Sequence, residues 1–459
     1  MRAIEKIVLI AVVLIAATVG VRSEDSVAVA LRNLKNSEAT LTPRQRAMRD
    51  SLGNDVRRQM LSQIGDSRDD GDSLQSGRLQ VSLLTCGPGP EIYQYYGHSA
   101  IRVLCTDSTD LDLVFNYGVF DFNSGNFALR FALGHTDYVC AMQQTEDFVE
   151  HYRRQGIYID EQVLNVTQRE AQRLLNALLV NCQPENCVYR YSFFYDNCAT
   201  RVRDKIEECL DGKLQYPERP TERSLRDAVH YYSHNYRWAT FGQDLLLGSE
   251  ADWPASGREL EFAPLIMQED FARTLVIDRT GIVRLFAGEK HRLLDLPPIE
   301  VEPSSWLSPM AVMAYLLIAV LILAMWEQRR RRIAWQVDSV LLALQGLGGV
   351  IVAFLFFFST HPTVDSNWMV WVLNPLPLVG LYWQIKGGRC GRYYYYHAVA
   401  LVVLALFFMA LPLIPQYVSS AATLLILTLL LRSLNNVVVY FQRKRQLVHS
   451  ITLKHDEKA

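Results

Sequence analysis

The sequence predicts an α+β extracytoplasmic domain followed by an all-α transmembrane domain of five helices. Three observations lead there: a short apolar leader with a basic start, strand-like and helix-like segments between residues 79 and 305, and five long apolar runs between 306 and 441. The whole-chain averages of 50% hydrophobic and 20% charged residues conceal this split, because the charges concentrate before residue 300. A net charge of −2 implies no polyelectrolyte partner and makes no case for nucleic-acid binding.

Residues 1–23 read as a signal segment. Arg2 and Lys6 supply the positive start, 7–20 the apolar core, and Val21-Arg22-Ser23 a possible cleavage site. Residues 24–78, rich in Arg, Asp, Ser and Gln, read as a polar N-terminal extension. The extracytoplasmic domain then spans 79–305, the membrane domain 306–441 and a cytoplasmic tail 442–459. Seven of the eight cysteines lie between 86 and 209, on the exported side. An odd number leaves at least one thiol free if the others pair within the chain, and Cys182 with Cys187 is the nearest local pair.

The apolar runs 306–326, 337–360, 368–385, 396–413 and 418–441 are each long enough to cross a hydrocarbon core of about 30 Å as helices. Arg329 to Arg332, Lys386 with Arg389 and Arg392, and Arg443 to Arg445 follow the first, third and fifth runs. The other two connections carry no Lys or Arg. Positive loops stay in the cytoplasm, so an odd number of helices places the domain before them on the opposite side, as the leader also requires. Arg432, Asn435 and Asn436 fall within the fifth run. Arg432 is a functional candidate as an intramembrane cation, or it snorkels to the inner surface, ~14 Å along the helix at Phe441. His361 and Asp365, in the outer loop, are candidates for a lipid-headgroup site.

In the soluble domain, 79–83 alternates as a half-buried strand, and Cys86-Gly87-Pro88-Gly89-Pro90 makes a turn segment. Strands at 98–104 and 111–117, joined by a short polar loop, form a hairpin. Pairing His98 with Asn116 sets Arg102 across from Asp112 and places His98 and Asn116 together on the more polar face. Thr167 with Glu170 forms a capping box, opening a helix to about Leu179 with Ala171, Leu174, Leu175 and Leu178 on its core face. Asp196 or Asn197 is an N-cap, so Cys198 falls in the first turn of the next helix, with Val202, Ile206 and Leu210 at helical spacing. A thiol there feels the positive helix end, which favours the thiolate. Cys198 as nucleophile, His98 as base and Asn116 as the group that holds the imidazole would supply the three roles a thiolate nucleophile needs. No zinc pattern, phosphate loop or internal repeat stands out.

Four blocks carry a resemblance: Leu83-Leu84-Thr85-Cys86-Gly87-Pro88-Gly89, Tyr96-Gly97-His98-Ser99-Ala100-Ile101-Arg102-Val103, Asn116-Tyr117-Gly118-Val119-Phe120-Asp121-Phe122 and Phe194-Tyr195-Asp196-Asn197-Cys198-Ala199-Thr200-Arg201. With the stretch 238–252 and Ser359-Thr360-His361-Pro362, they resemble the Lnb-type bacterial lipoprotein N-acyltransferases over about residues 79–441. The soluble part is also similar to permuted papain-like domains of the NlpC and lecithin–retinol acyltransferase type, in which the His strand precedes the Cys helix.

The resemblance implies an inner-membrane enzyme with the soluble domain in the periplasm. It would take an acyl chain from a membrane phospholipid onto Cys198, with His98 as base. It would pass the chain to the α-amine of a diacylated lipoprotein, without metal or cofactor. Tyr96 and Tyr117, beside His98 and Asn116 in their blocks, join His361 and Arg432 as the candidate substrate-binding residues. The same Cys and His would also suit a membrane-tethered cell-wall cysteine peptidase or amidase, and a Cys198 locked in a disulfide would leave a non-enzymatic binding module. Five helices with polar loops fit a lipid substrate better than a tethered hydrolase.

Overall fold

The computed structural model describes residues 78–107, 111–120, 126–218, 223–299, 301, 305–392 and 395–456. The expected signal segment and nearly all of the polar extension lie outside the described residues.

The N-terminal domain is built on a seven-stranded antiparallel sheet in the order β10-β5-β1-β2-β3-β4-β6. In chain order it comprises β1 (Leu79–Cys86), β2 (His98–Cys105), β3 (Asp112–Val119), α1 (Phe127–Ala132), β4 (Asp137–Gln144), α2 (Thr145–Gln155) and β5 (Ile159–Leu164). Next come α3 (Gln168–Asn181), β6 (Val188–Arg190), α4 (Cys198–Glu208), β7 (Lys213–Gln215), α5 (Leu225–Ser233) and α6 (Arg237–Leu246). The domain ends with α7 (Gly257–Leu260), α8 (Pro264–Phe271), β8 (Leu275–Ile277), β9 (Val283–Leu285) and β10 (Ala287–Leu294). The central strand β1 is buried on both faces from Val81 onward. Its odd-numbered residues Val81 and Leu83 pack with Ile101, Phe115 and the inner faces of α3, α4 and α8. Its even-numbered Leu84 and Cys86 pack with Ala100, Val114 and Phe148 of α2. One alternating pattern thus supplies two cores. The capping box of α3 forms as its sequence requires, with Thr167 accepting from the Glu170 N–H, and Ala171, Leu174, Leu175 and Leu178 are buried.

The β2–β3 hairpin forms with a register two residues from the expected one. Ala100 pairs with Asn116 and Leu104 with Asp112, and the turn closes where Cys105 N–H reaches the Leu111 carbonyl. A two-residue slip keeps every side chain on its face, and diagonal neighbours on a twisted pair remain within reach of long side chains. Arg102 therefore still holds Asp112 through two hydrogen bonds of 2.7 Å.

The C-terminal domain is helical: α9 (Pro309–Arg330), α10 (Trp335–Phe358), α11 (Leu376–Arg389), α12 (Tyr396–Ala410) and α13 (Ser420–Asp456). Among the described residues, four helical stretches, Pro309–Arg330, Trp335–Phe358, Tyr396–Leu413 and Ser420–Gln446, are long and apolar enough to cross a membrane. The third expected span is interrupted. A single 3₁₀ turn at Trp368–Trp371 is followed by Asn374-Pro375, and only then does the 14-residue α11 begin. Proline disfavours helical geometry in the residue before it, which breaks the run there. Fourteen residues rise ~21 Å, so a crossing of the hydrocarbon core here uses the 3₁₀ turn and the residues up to Pro375 as well as α11. At the other end, α13 continues past Phe441 to Asp456, so the expected tail prolongs the last helix.

The stretch 238–252 joins the two domains. Trp238 donates to the Leu307 carbonyl at 2.8 Å, Asn367 donates to the carbonyls of Leu245 and Leu246, and Gln416 donates to that of Leu247. Gly248 N–H donates to the Thr363 carbonyl, and a side chain at Gly248 would lie 2.2 Å from that oxygen, so glycine is required for the approach. Buried Arg226 clamps the stretch by pairing with Asp244 and Asp252 and donating to the Leu247 and Gly248 carbonyls.

Candidate active site

Cys198 is the first residue of α4. Asn197 caps that helix by accepting from the Ala199 and Thr200 N–H groups, while Thr200 bonds back to the Asn197 N–H. The Asn197 amide is anchored in turn on the Phe193 and Phe262 carbonyls. The cap thus fixes both the start of the helix and its seat in the aromatic cluster of Phe193, Phe194 and Phe262. The helix buries Ala199, Val202 and Ile206 against the sheet, which brings its N-terminus, and the half-buried thiol, to the end of β2 and β3.

His98 opens β2. Its Nε2 lies 2.6 Å from the Asn116 side-chain oxygen on β3, so Nε2–H donates to Asn116 and Nδ1 is left for the thiol. A bulge brings the strands' ends into position: Asn116 pairs with Ala141 but Val119 with Val139, leaving one extra residue on β3. Within it, Gly118 takes a φ of +88°, and a Cβ there would sit 3.5 Å from Cys198 Cβ and 3.7 Å from His98 Cε1. A side chain at 118 would fill the space between the two, so this glycine is part of the site. Its signal in the sequence was a lone Gly inside a strand pattern.

The electrostatics follow from this packing. Burial opposes the Cys198 thiolate. The charge of His98, its hydrogen bond and the N–H groups of Ser99 and Ala199 outweigh it and hold the thiol below its ordinary value. Burial likewise opposes the His98 cation, but the Cys198 charge and the hydrogen bonds to Cys198 and Asn116 raise its pKa. The two shifts point one way, to a thiolate–imidazolium pair. Cys86, which shares a hydrogen bond with Tyr152, is pushed up by burial. Cys182 is pushed up by its hydrogen bond to Cys140 and by burial. All eight cysteines are thiols. The expected Cys182–Cys187 contact is replaced by Cys140 and Cys182, whose sulfurs lie 3.2 Å apart, while Cys187 Sγ faces the Pro184 carbonyl. Cys182 is the C-cap of α3 and points into the sheet core, so its neighbour comes from β4.

The four other candidate residues fall elsewhere. Tyr96 is buried in the aromatic cluster and its hydroxyl accepts from Gln243 at 2.9 Å. Tyr117 alternates away from Asn116 into the core and donates to Asn181 at 2.7 Å. Neither presents a surface to substrate. His361 lies at the junction, where its Nε2–H donates to the Phe131 carbonyl at 2.5 Å. Arg432 does not snorkel. It is buried between Glu327 of α9 and Asp338 of α10, with its guanidinium on both carboxylates at 2.5 Å, and Asn435 and Asn436 bond the same two acids. Those acids lie toward the ends of their helices near the Arg329–Arg332 turn, remote from the α10–α11 loop that meets the soluble domain. A cation with acids that close is neutralised in place.

Fold and site together define a membrane protein with an N-terminal α+β domain that carries a Cys–His pair and sits on a helical membrane domain. Residues 71–229 match the family model of the Lnb N-terminal periplasmic domain, and residues 301–444 match that of the Lnb transmembrane domain. The chain belongs to the Lnb family and is a membrane protein with an N-terminal periplasmic region. No curated protein and no solved structure matches it.

Proposed function

We propose that the protein is a lipoprotein N-acyltransferase of the bacterial inner membrane, with Cys198 as nucleophile, His98 as base and acid, and Asn116 holding the imidazole. The observation that carries the reading is the thiol at the start of α4, held below its ordinary value beside His98, in a domain hydrogen-bonded to the outer loops of membrane helices.

The thiolate attacks an ester carbonyl of a membrane phospholipid, and the positive end of α4 favours the oxyanion. The intermediate collapses as the imidazolium protonates the departing alkoxide, releasing a lysophospholipid and leaving a thioester on Cys198. The neutral α-amine of a diacylglyceryl-cysteine then attacks the thioester and gives its proton to His98. The thiolate leaves, and the amide-linked chain completes a triacylated lipoprotein. The thiolate–imidazolium pair is restored, so protons and electrons balance over the cycle. No metal or soluble cofactor enters. The accompanying orientation puts the basic turns and the C-terminus in the cytoplasm.

The test is mass spectrometry of a lipoprotein's N-terminal peptide from cells lacking their own N-acyltransferase, expressing this protein or its Cys198→Ala variant. An amide-linked chain with the first and none with the second is expected. A total mass raised by one chain assigns the donor to a phospholipid. An unchanged total, with one chain moved from ester to amide, assigns it to the acceptor's own glyceryl ester and overturns the phospholipid donor. A free amine in both, with insertion verified, overturns the reading in favour of a cell-wall peptidase or amidase.

A further inference from the structure

Cys140 and Cys182 are 42 residues apart in the chain, yet their sulfurs lie 3.2 Å from one another. Cys140 sits within β4 and is buried. Cys182 is the C-cap of α3 and is half-buried. Both are thiols in the structure, and neither takes part in the chemistry assigned to Cys198. A bonded pair of sulfurs lies at about 2.0 Å, so these two are only about 1.2 Å from bonding distance.

Their place in the fold gives the contact a consequence. Val139 and Ala141, on either side of Cys140, pair with Val119 and Asn116 across the bulge that carries Gly118. Tyr117, in the same stretch of β3, donates to Asn181, the residue before Cys182. The end of α3 is therefore held to β3 by a hydrogen bond and faces β4 through the two sulfurs, on the side of the sheet opposite Asn116. Cys187 lies close in sequence but turns its sulfur to the Pro184 carbonyl at 3.6 Å, while its own carbonyl accepts from the Cys140 N–H.

We propose that Cys140 and Cys182 are oxidised to a disulfide in the mature protein, stapling β4 to the end of α3 behind the active-site bulge. The inference stands on the periplasmic placement of residues 71–229 and does not depend on the acyl-transfer reading. Disulfides form and persist in that compartment. The oxidant is a protein disulfide of the periplasm, acting by thiol–disulfide exchange. The Cys182 thiolate attacks one sulfur of the oxidant, and the other sulfur leaves as a thiolate. Cys140 then attacks the Cys182 sulfur of the mixed disulfide and releases the oxidant as a dithiol. One S–S bond breaks and one forms, and two protons and two electrons pass from the pair to the oxidant. In the packed domain the hydrogen bond to Cys140 and burial push the Cys182 thiol well up, so the exchange belongs to folding after export.

The test maps thiols in the full-length protein, taken from membranes into denaturant with iodoacetamide and digested without reduction. Mass spectrometry is expected to find the Cys140 and Cys182 peptides joined, two hydrogens lighter than the separate pair, and the Cys198 peptide alkylated. Alkyl groups on both Cys140 and Cys182, or Cys182 joined to Cys187 or Cys198, overturn the proposal. The stapling is read by melting in detergent with and without a phosphine reductant. Reductant is expected to lower the melting temperature of the unaltered protein by about 5–15 °C, the scale for opening a loop of this length. It should leave Cys140→Ala with Cys182→Ala unmoved. A joined pair whose reduction leaves the melting temperature unchanged, or the same response in the variant, overturns the stapling. The peptide map needs no variant, so a variant that fails to fold leaves that decision standing. Loss or retention of N-acylation bears on the acyl-transfer reading alone.

Discussion

Arg432 and Cys198 are both packed where a charged side chain is costly, yet the chain surrounds them differently. Arg432 faces two carboxylates, and two asparagine amides bond the same acids, so nearly all of the polar capacity there is consumed internally. Cys198 has one cationic neighbour, two backbone N–H groups and a glycine where a side chain would otherwise close the site. Buried charge with saturated partners fixes how α9, α10 and α13 pack. Charge at a helix start, half-open, with a titrating partner, is the arrangement expected of a reactive group. An intramembrane arginine and a periplasmic cysteine that look equally suggestive in sequence are separated by their surroundings.

The comparison breaks most readily at Cys198. Cys198→Ala is expected to abolish N-acylation in cells while membrane insertion persists; residual amide-linked acyl chain would assign the chemistry to another group. His98→Ala should follow, with a loss of about 10² to 10⁴ in transfer rate, the range for general acid–base assistance, measured with purified protein and lipopeptide.

For the membrane cluster the prediction has another character. Arg432→Ala leaves two buried acids uncompensated and is expected to cost about 3–5 kcal/mol of stability, read as a lowered melting temperature. The rate of Cys198 alkylation in the surviving folded protein should not change. Altered Cys198 reactivity would mean that the two regions are coupled. Asn116→Ala removes one hydrogen bond to His98 and should lower transfer by about tenfold.

The smallest effect is a pH shift. A thiol with a lowered pKa keeps its thiolate as pH falls below the ordinary thiol range of about 8.5. Alkylation of Cys198 should therefore persist there, and its midpoint should move upward in His98→Ala. Identical midpoints would dissolve the pair.

Where the chemistry was local, the sequence was readable. The N-cap at Asn197, the capping box at Thr167, the Cys198 helix and four of the membrane spans each follow from residues within a few positions of one another. The hairpin faces were readable too, but its register was not, because a two-residue slip preserves alternation and the Arg102–Asp112 pair alike. Tyr96 and Tyr117 illustrate a different limit. Adjacency in sequence to a site residue says little: Tyr117, next to Asn116 in β3, points to the opposite face, and Tyr96 lies in the turn before β2. The partners of Arg432 left a signal, since Glu327 and Asp338 are the acids at the edges of two apolar runs that otherwise hold none. The hydrogen bond from Thr360 to the Leu133 carbonyl left none, as it closes over more than 200 residues of chain.

The central claim is that the chain carries an acyl group on Cys198 between donor and acceptor. Purified protein would be incubated with a phospholipid in the absence of acceptor, quenched in acid and digested, and the Cys198 peptide weighed before and after neutral hydroxylamine. The account predicts one fatty acyl group on that peptide, removed by hydroxylamine and discharged on addition of a diacylated lipopeptide. A lipopeptide that becomes N-acylated while the Cys198 peptide never carries a chain would contradict it.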